Sequence, residues 1–161
     1  MKKSGTILIL GGNGFIGAEV TDYLLNNYKH FDLVLLNRGH WNEWDYKHRI
    51  KPFIAENLIW DRKEDSLKKC LKKYLDLEGF QFEAIIDFSA YKRRDVRNVL
   101  KDIPSEKFKR YILISSDSVY EVCNQTKKDE LITEIDSVRP ESKEEQKQLK
   151  ENDSYGHHKL E

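Results

Sequence analysis

A chain of 161 residues, 35% of them charged, is long enough to form one domain with a buried core. Its 28 basic and 28 acidic side chains cancel, which argues against nucleic acid or an anionic membrane as the main partner. The two cysteines, Cys70 and Cys123, stand far apart and outside any metal-ligand spacing, so neither a metal site nor a disulfide is expected and a reducing compartment suits them.

The start, Met1-Lys2-Lys3, imitates a signal peptide, but the apolar run that follows is short and ends in glycines. No stretch is long enough to span a bilayer. A soluble, cytoplasmic protein is expected. The run Ile7 to Leu10 reads as a strand buried on both faces. Gly11, Gly14 and Gly17 follow at once, and apolar residues then recur at helical spacing: Ile16, Val20, Tyr23, Leu24 and Tyr28. Three spaced glycines alone also make turns that bind nothing. Between a buried strand and a helix start they fit a phosphate cradle. The first permits the tight turn, the second lets a pyrophosphate approach the backbone, and the third lets helix and strand pack closely. The helix N-terminus then faces the phosphates with free N–H groups and positive potential.

Leu33 to Leu36 forms a second apolar strand and ends at Asn37-Arg38-Gly39. In a dinucleotide fold this position faces the adenosine ribose, where an acidic residue accepts from the 2′-hydroxyl and repels a 2′-phosphate. Neutral Asn37 and cationic Arg38 instead favour NADP(H) over NAD(H), with Arg38 pairing the 2′-phosphate or stacking on adenine; a plain surface arginine is the alternative. Residues 40–56 mix Trp41, Trp44 and Tyr46 with basic groups around His48. Such a mixture suits single-stranded RNA, but a loop and short helix that bury their aromatics at the domain edge is the preferred reading. Residues 57–62 form a third strand, placing Asp61 and Arg62 near an adenine base, unless Asp61 only caps the next turn.

Asp65 or Ser66 caps a helix with the stripe Leu67, Cys70, Leu71, Tyr74 and Leu75, with Cys70 expected as a core residue rather than a reactive thiol. Phe82 to Asp87 is the fourth strand, and the small residues Ser89 and Ala90 let the chain pass close to a cofactor. Asp95 opens a helix with Val96, Val99, Leu100 and Ile103 inward, ended by Pro104. Tyr111 to Ser116 is the fifth strand. Strands alternating with helices over short connections predict an α/β fold with a doubly wound parallel sheet, order 3-2-1-4-5, and a ligand across the carboxyl ends where the order reverses. From about Val122 the chain is rich in Lys, Glu and Gln, and Glu141 to Glu151 is an exposed helix or a mobile loop.

Near the end stand Tyr155 and Lys159, four apart and so on one face of a helix. A Lys beside a phenol favours the phenolate and makes the phenol a usable acid or base near neutral pH. The same Lys can hold a nicotinamide ribose. Ser116, at the end of the fifth strand, can hydrogen-bond a substrate oxygen.

The motifs Gly-Gly-Asn-Gly-Phe-Ile-Gly (11–17), Asp-Phe-Ser-Ala (87–90), Ser-Ser-Asp-Ser-Val-Tyr (115–120), Thr-Glu-Ile-Asp-Ser-Val-Arg-Pro (133–140) and Tyr-Gly-His-His-Lys (155–159) run through the chain in one order. In this the chain resembles the extended short-chain dehydrogenase/reductase superfamily, the NAD(P)-dependent sugar epimerase/dehydratase group, with its Rossmann-like fold. The resemblance implies Ser116 as the catalytic Ser/Thr, Tyr155 as acid/base and Lys159 as its partner. It implies cofactor contacts from Gly11, Asn13, Gly14, Phe15, Ile16, Gly17, Asn37, Arg38, Asp61, Arg62, Phe88, Ser89 and Ala90. The implied substrate is a small molecule such as a nucleotide sugar or related alcohol.

Three departures stand out. Asn37-Arg38-Gly39 resembles an atypical branch, some members of which have reduced catalysis or bind RNA. Glu121 replaces the usual Gly after Val-Tyr, and Asp117 is followed by Ser118 where dehydratases carry Glu; the Ser116–Tyr155 separation is also long. Finally, the family continues past the Tyr/Lys helix with a further strand and a C-terminal substrate domain. Residues 1–121 are thus expected as the dinucleotide-binding core. Residues 122–161 are expected as a charged loop and the start of the catalytic helix, in a chain that does not turn over substrate by itself. A homodimer is implied for the full-length form.

Overall fold

Two of the five predicted strands, at 7–10 and 33–36, are apolar throughout and buried, because both faces of the sheet are covered there. In the computed structural model, which describes residues 3–41, 46–124 and 132–160, β1 (Gly5–Leu10), β2 (Phe31–Asn37), β3 (Glu56–Ile59), β4 (Ala84–Asp87) and β5 (Tyr111–Leu113) form one parallel sheet in the order 3-2-1-4-5. Leu10 pairs with Leu36 on one side and with Asp87 on the other. The helices are α1 (Phe15–Asn27), α2 (Tyr46–Ile50), α3 (Leu67–Cys70), α4 (Lys72–Leu75), α5 (Arg93–Asp102), α6 (Lys143–Asn152) and α7 (Ser154–Leu160).

The chain divides into two units, Met1–Ser89 with Arg97–Ile114, and Ala90–Val96 with Ser115–Glu161. In the first, strand side chains alternate between two cores. Leu8, Leu10, Val34, Leu36 and Ile85 pack with Leu67, Leu71, Val99 and Ile103. Ile7, Ile9, Leu33 and Leu35 pack with Ala18, Leu24, Leu25 and Ile50. Cys70 lies half-buried against the first core. Desolvation, followed by the nearby carboxylates of Asp65 and Glu56, pushes its thiol above the ordinary range, so it stays protonated at neutral pH.

Several expected details change. The inward face of α1 is Gly17, Ala18 and Thr21, while Ile16, Tyr23 and Tyr28 are exposed. Small residues are needed where the helix approaches the glycine turn, and this rotates the larger apolar residues outward. Leu100 of α5 is also exposed, leaving Val99 and Ile103 to hold that helix. The third strand stops at Ile59, because Asp61 turns the chain: its Oδ1 accepts from Lys63 N at 2.8 Å and its own N–H donates to Asp65 Oδ2 at 2.7 Å, an Asx turn. The helix expected over 67–75 breaks at Leu71, where ψ is 8°. Ser66 caps the first piece by accepting from Lys69 N. The fourth strand begins at Ala84, with Phe82 only bridging Phe108. The fifth ends at Leu113.

Trp41 packs partly buried on the second core; Trp44 and the side chain of Tyr46 lie outside the described residues. In the second unit α6 is a helix with Ser142 as its cap. Among the described residues no helix is long and apolar enough to cross a membrane.

Candidate functional site

In the first unit, the carboxyl ends of β1, β2 and β4 lie side by side where the strand order reverses, and each carries an expected site segment. Gly11 has φ +79°, a conformation that a side chain resists. Its N–H donates to Leu36 O at 2.8 Å, and Gly14 N–H returns to Gly11 O at 3.0 Å. The third glycine is held by sterics: a Cβ on Gly17 would stand 2.2 Å from Gly11 O. Thr21, which no motif in the sequence marks, fastens the same turn. Its buried hydroxyl lies 2.7 Å from Gly17 O and 3.0 Å from Gly12 O.

Those contacts bring the start of α1 to the turn. Gly14 gives no side-chain cap, and the first turn of α1 holds no acidic residue. Phe15 and Ile16 turn outward, 71% and 56% exposed. A Cβ on Gly14 would meet nothing nearer than Gly11 O at 3.4 Å. An open, uncapped helix start behind a glycine turn fits the pyrophosphate of a dinucleotide. Asn13 is buried, and its amide donates to His40 O.

Asn37, also buried, donates to Asn57 Oδ1 at 2.6 Å and accepts from Gly39 N at 2.8 Å. Its amide is thus spent on holding the turn. Arg38, one residue on, is exposed. At the exit of β4, Phe88 lies against the second core, and Ser89 Cβ is 3.3 Å from the position of a Cβ on Gly11. Asp87, a member of the recognised motif but not of the expected contact set, is fully buried. It accepts from Ser89 N at 2.9 Å, Tyr111 Oη at 2.7 Å and the Arg62 guanidinium at 2.7 and 2.8 Å. The acid at β4 and the base at β3 are 25 residues apart, so no local pattern signals the pair.

The second unit gathers the residues expected to do chemistry. Ser116 caps the short 3₁₀ segment Asp117–Val122, its Oγ 3.3 Å from Ser118 Oγ. Asp153 starts α7 by accepting from Tyr155 N at 2.9 Å and Gly156 N at 3.1 Å. Tyr155 and Lys159 do share a face of α7. Lys159 Nζ is 5.9 Å from the Tyr155 ring centroid and donates to Ala90 O at 2.6 Å. The Tyr155 ring, 40% exposed, meets Tyr91 edge-on with centroids 5.7 Å apart. His157 is buried against Arg139, whose Nη2 lies 2.9 Å from its Nε2.

Helix α7 seats on the 3₁₀ segment at Gly156, where a Cβ would fall 2.2 Å from Ser118 O. Gly156→Ala is therefore expected to destabilise this unit by about 1–3 kcal/mol, although alanine is the better helix former. Thermal melting and hydrogen exchange of the α7 amides check this; unchanged protection would refute it.

Two layers of helix on a five-stranded parallel sheet with reversed order define the doubly wound, Rossmann-like class. No protein-family model matches the sequence, and no curated protein matches it. Solved structures do match. The ADP-L-glycero-D-manno-heptose-6-epimerase of Helicobacter pylori is 22% identical, with TM-score 0.61 over 98% of this chain and 49% of its own. Vestitone reductase from alfalfa (Medicago sativa) is 17% identical, with TM-score 0.66 over 98% and 49%. The UDP-glucuronic acid 4-epimerase of Bacillus cereus, solved in complex with NAD, is 18% identical, with TM-score 0.61 over 96% and 49%. At these identities the likeness establishes the fold. The chain spans about half the length of each of these structures.

Proposed function

We infer that this chain is the NAD(P)-binding part of an epimerase, dehydratase or reductase of the extended short-chain dehydrogenase/reductase type, acting by hydride transfer on a nucleotide sugar or related alcohol. The observation that carries the reading is the uncapped start of α1, drawn onto a glycine turn by the close packing of Gly17 on Gly11. The similar structures, two sugar-nucleotide epimerases and a reductase, support the reaction class.

A nicotinamide cofactor, when bound, supplies the hydride acceptor and donor. The chain's own residues do the rest. The amides at the start of α1 bind the pyrophosphate. Tyr155 takes the proton of the substrate hydroxyl and returns it. Lys159 holds its charge on the same helix face, and the Ser116 hydroxyl bonds the substrate oxygen. Arg38, exposed beside the end of β2, meets the 2′-phosphate and makes NADP(H) the preferred cofactor.

Calorimetric titration with NADPH and NADH tests the reading. Binding of either dinucleotide supports it, and binding of neither refutes it. Arg38→Ala is expected to weaken NADPH by about tenfold, one charge-assisted contact of roughly 1.4 kcal/mol, and to leave NADH unchanged. Equal loss for both, or none, would remove Arg38 from the role.

A further inference from the structure

Arg62 and Asp87 form an ion pair to which the proposed function gives no role. The guanidinium is only 13% exposed and the carboxylate not at all. One nitrogen, Nη2, reaches both carboxylate oxygens and also Ser89 Oγ at 2.9 Å. Ser89 is held a second and a third time, by its N–H and its hydroxyl on Asp87 Oδ1. The other face of the guanidinium is covered by Trp60, with Cζ 5.1 Å from the ring centroid. Trp60 is itself held by its backbone N–H on Asn37 O at 2.8 Å and by its indole N–H on Asp65 O at 3.2 Å. The pair thus joins the exits of β3 and β4, which are not neighbours in the sheet. It does so at the residues that lie against the glycine turn, since Ser89 faces Gly11.

A buried ion pair is a poor device for stability alone, because desolvation offsets most of the attraction. It is a good device for geometry. Two hydrogen bonds on its hydroxyl and one from its backbone N–H leave Ser89 a single position, and with it the wall opposite Gly11.

The geometry points to Arg62 as a positioning residue for dinucleotide binding. Acting through Asp87 and Ser89, it holds the β4 exit in the shape that the cofactor meets, and it does not touch the cofactor. This rests on the reading that the chain binds NAD(P). A preformed wall lowers the ordering cost of binding whichever dinucleotide arrives. The effect must therefore be the same for NADPH and NADH, unlike that of Arg38.

The test is calorimetric titration of the whole chain with both dinucleotides, for the wild type, Arg62→Met, Arg62→Lys, Asp87→Asn and the Arg62→Met/Asp87→Asn double variant. The double variant buries no unpaired charge, so a cooperative melt is expected of it, and the melt is recorded. Arg62→Met and the double variant are expected to weaken NADPH and NADH alike, by about tenfold. Arg62→Lys should fall between, because an ammonium keeps the charge but lacks the flat group that stacks on Trp60. The single effects should not add in the double variant.

Wild-type affinity in a folded double variant would overturn the inference while leaving the cofactor reading intact. So would a loss confined to NADPH, which would put Arg62 on the 2′-phosphate itself. A wild-type chain that binds neither dinucleotide would overturn both.

Discussion

In a form of the protein that turns over substrate, Tyr155→Phe is expected to lower kcat for hydride transfer by about 10²–10⁴-fold, the usual worth of a positioned general acid or base. Dinucleotide affinity should stay at its wild-type value. The substitution is clean because it removes one oxygen and keeps the ring. The edge-on contact with Tyr91 involves the ring alone, and no hydrogen bond that holds the fold ends on the Tyr155 hydroxyl among those described. The backbone bond from Tyr155 N–H to Asp153, which starts α7, is untouched. Steady-state rates with substrate and a parallel calorimetric titration check both halves. Loss of cofactor binding together with turnover would mean that Tyr155 holds the fold and does no chemistry. Full activity would give the proton transfer to another group.

Gly17→Ala is expected to abolish measurable dinucleotide binding and to lower stability by about 1–3 kcal/mol. Two effects oppose each other here. Alanine in a helix is favoured over glycine by about 1 kcal/mol. Against this, its Cβ would stand 2.2 Å from Gly11 O and 3.1 Å from Gly12 Cα, both backbone atoms of a turn that cannot swing aside as a side chain can. The clash wins, and α1 must move away from the turn, carrying its N–H groups off the phosphate position. The domain survives, since a loss of this size is a fraction of the roughly 5–15 kcal/mol typical of folded domains.

Gly14→Ala serves as the contrasting variant. Its Cβ would have only Gly11 O nearby, at 3.4 Å, so melting should be unchanged while binding still falls, because the methyl group occupies the approach of the pyrophosphate. If Gly17→Ala binds NADPH like the wild type, the glycine turn is not the phosphate cradle.

What could be read in the sequence is what short-range chemistry decides. The apolar runs at 7–10 and 33–36, β-branched or leucine throughout and bounded by glycine or polar residues, read as strands covered on both faces. Glycines at 11, 14 and 17 mark the one place where a strand passes into a helix through a tight turn. Tyr155 and Lys159 fall on one face because a helix has 3.6 residues per turn. Alternation of such segments then implies a parallel sheet, since parallel neighbours need a crossover. The order 3-2-1-4-5 goes with the glycine fingerprint of a dinucleotide fold, and it is the order observed.

Local pattern fails where the outcome depends on a neighbour far along the chain. Apolar spacing alone favours Ile16 and Tyr23 for the inward face of α1, whereas the space beside Gly11 admits Gly17, Ala18 and Thr21. Leu100, inward by spacing, is exposed for a similar reason, Val99 and Ile103 sufficing to seat α5. Asp87 and Arg62 are each unremarkable alone. They become a buried pair only because sheet order brings the exits of β3 and β4 within reach. Lys159 finds Ala90 O across 69 residues in the same way. Propensity and periodicity, written into neighbouring residues, thus determined the elements, and the glycine fingerprint pointed to their order. The partners of the buried polar side chains were decided by tertiary structure alone, because a desolvated charge or amide must be satisfied by whatever group the packing places beside it.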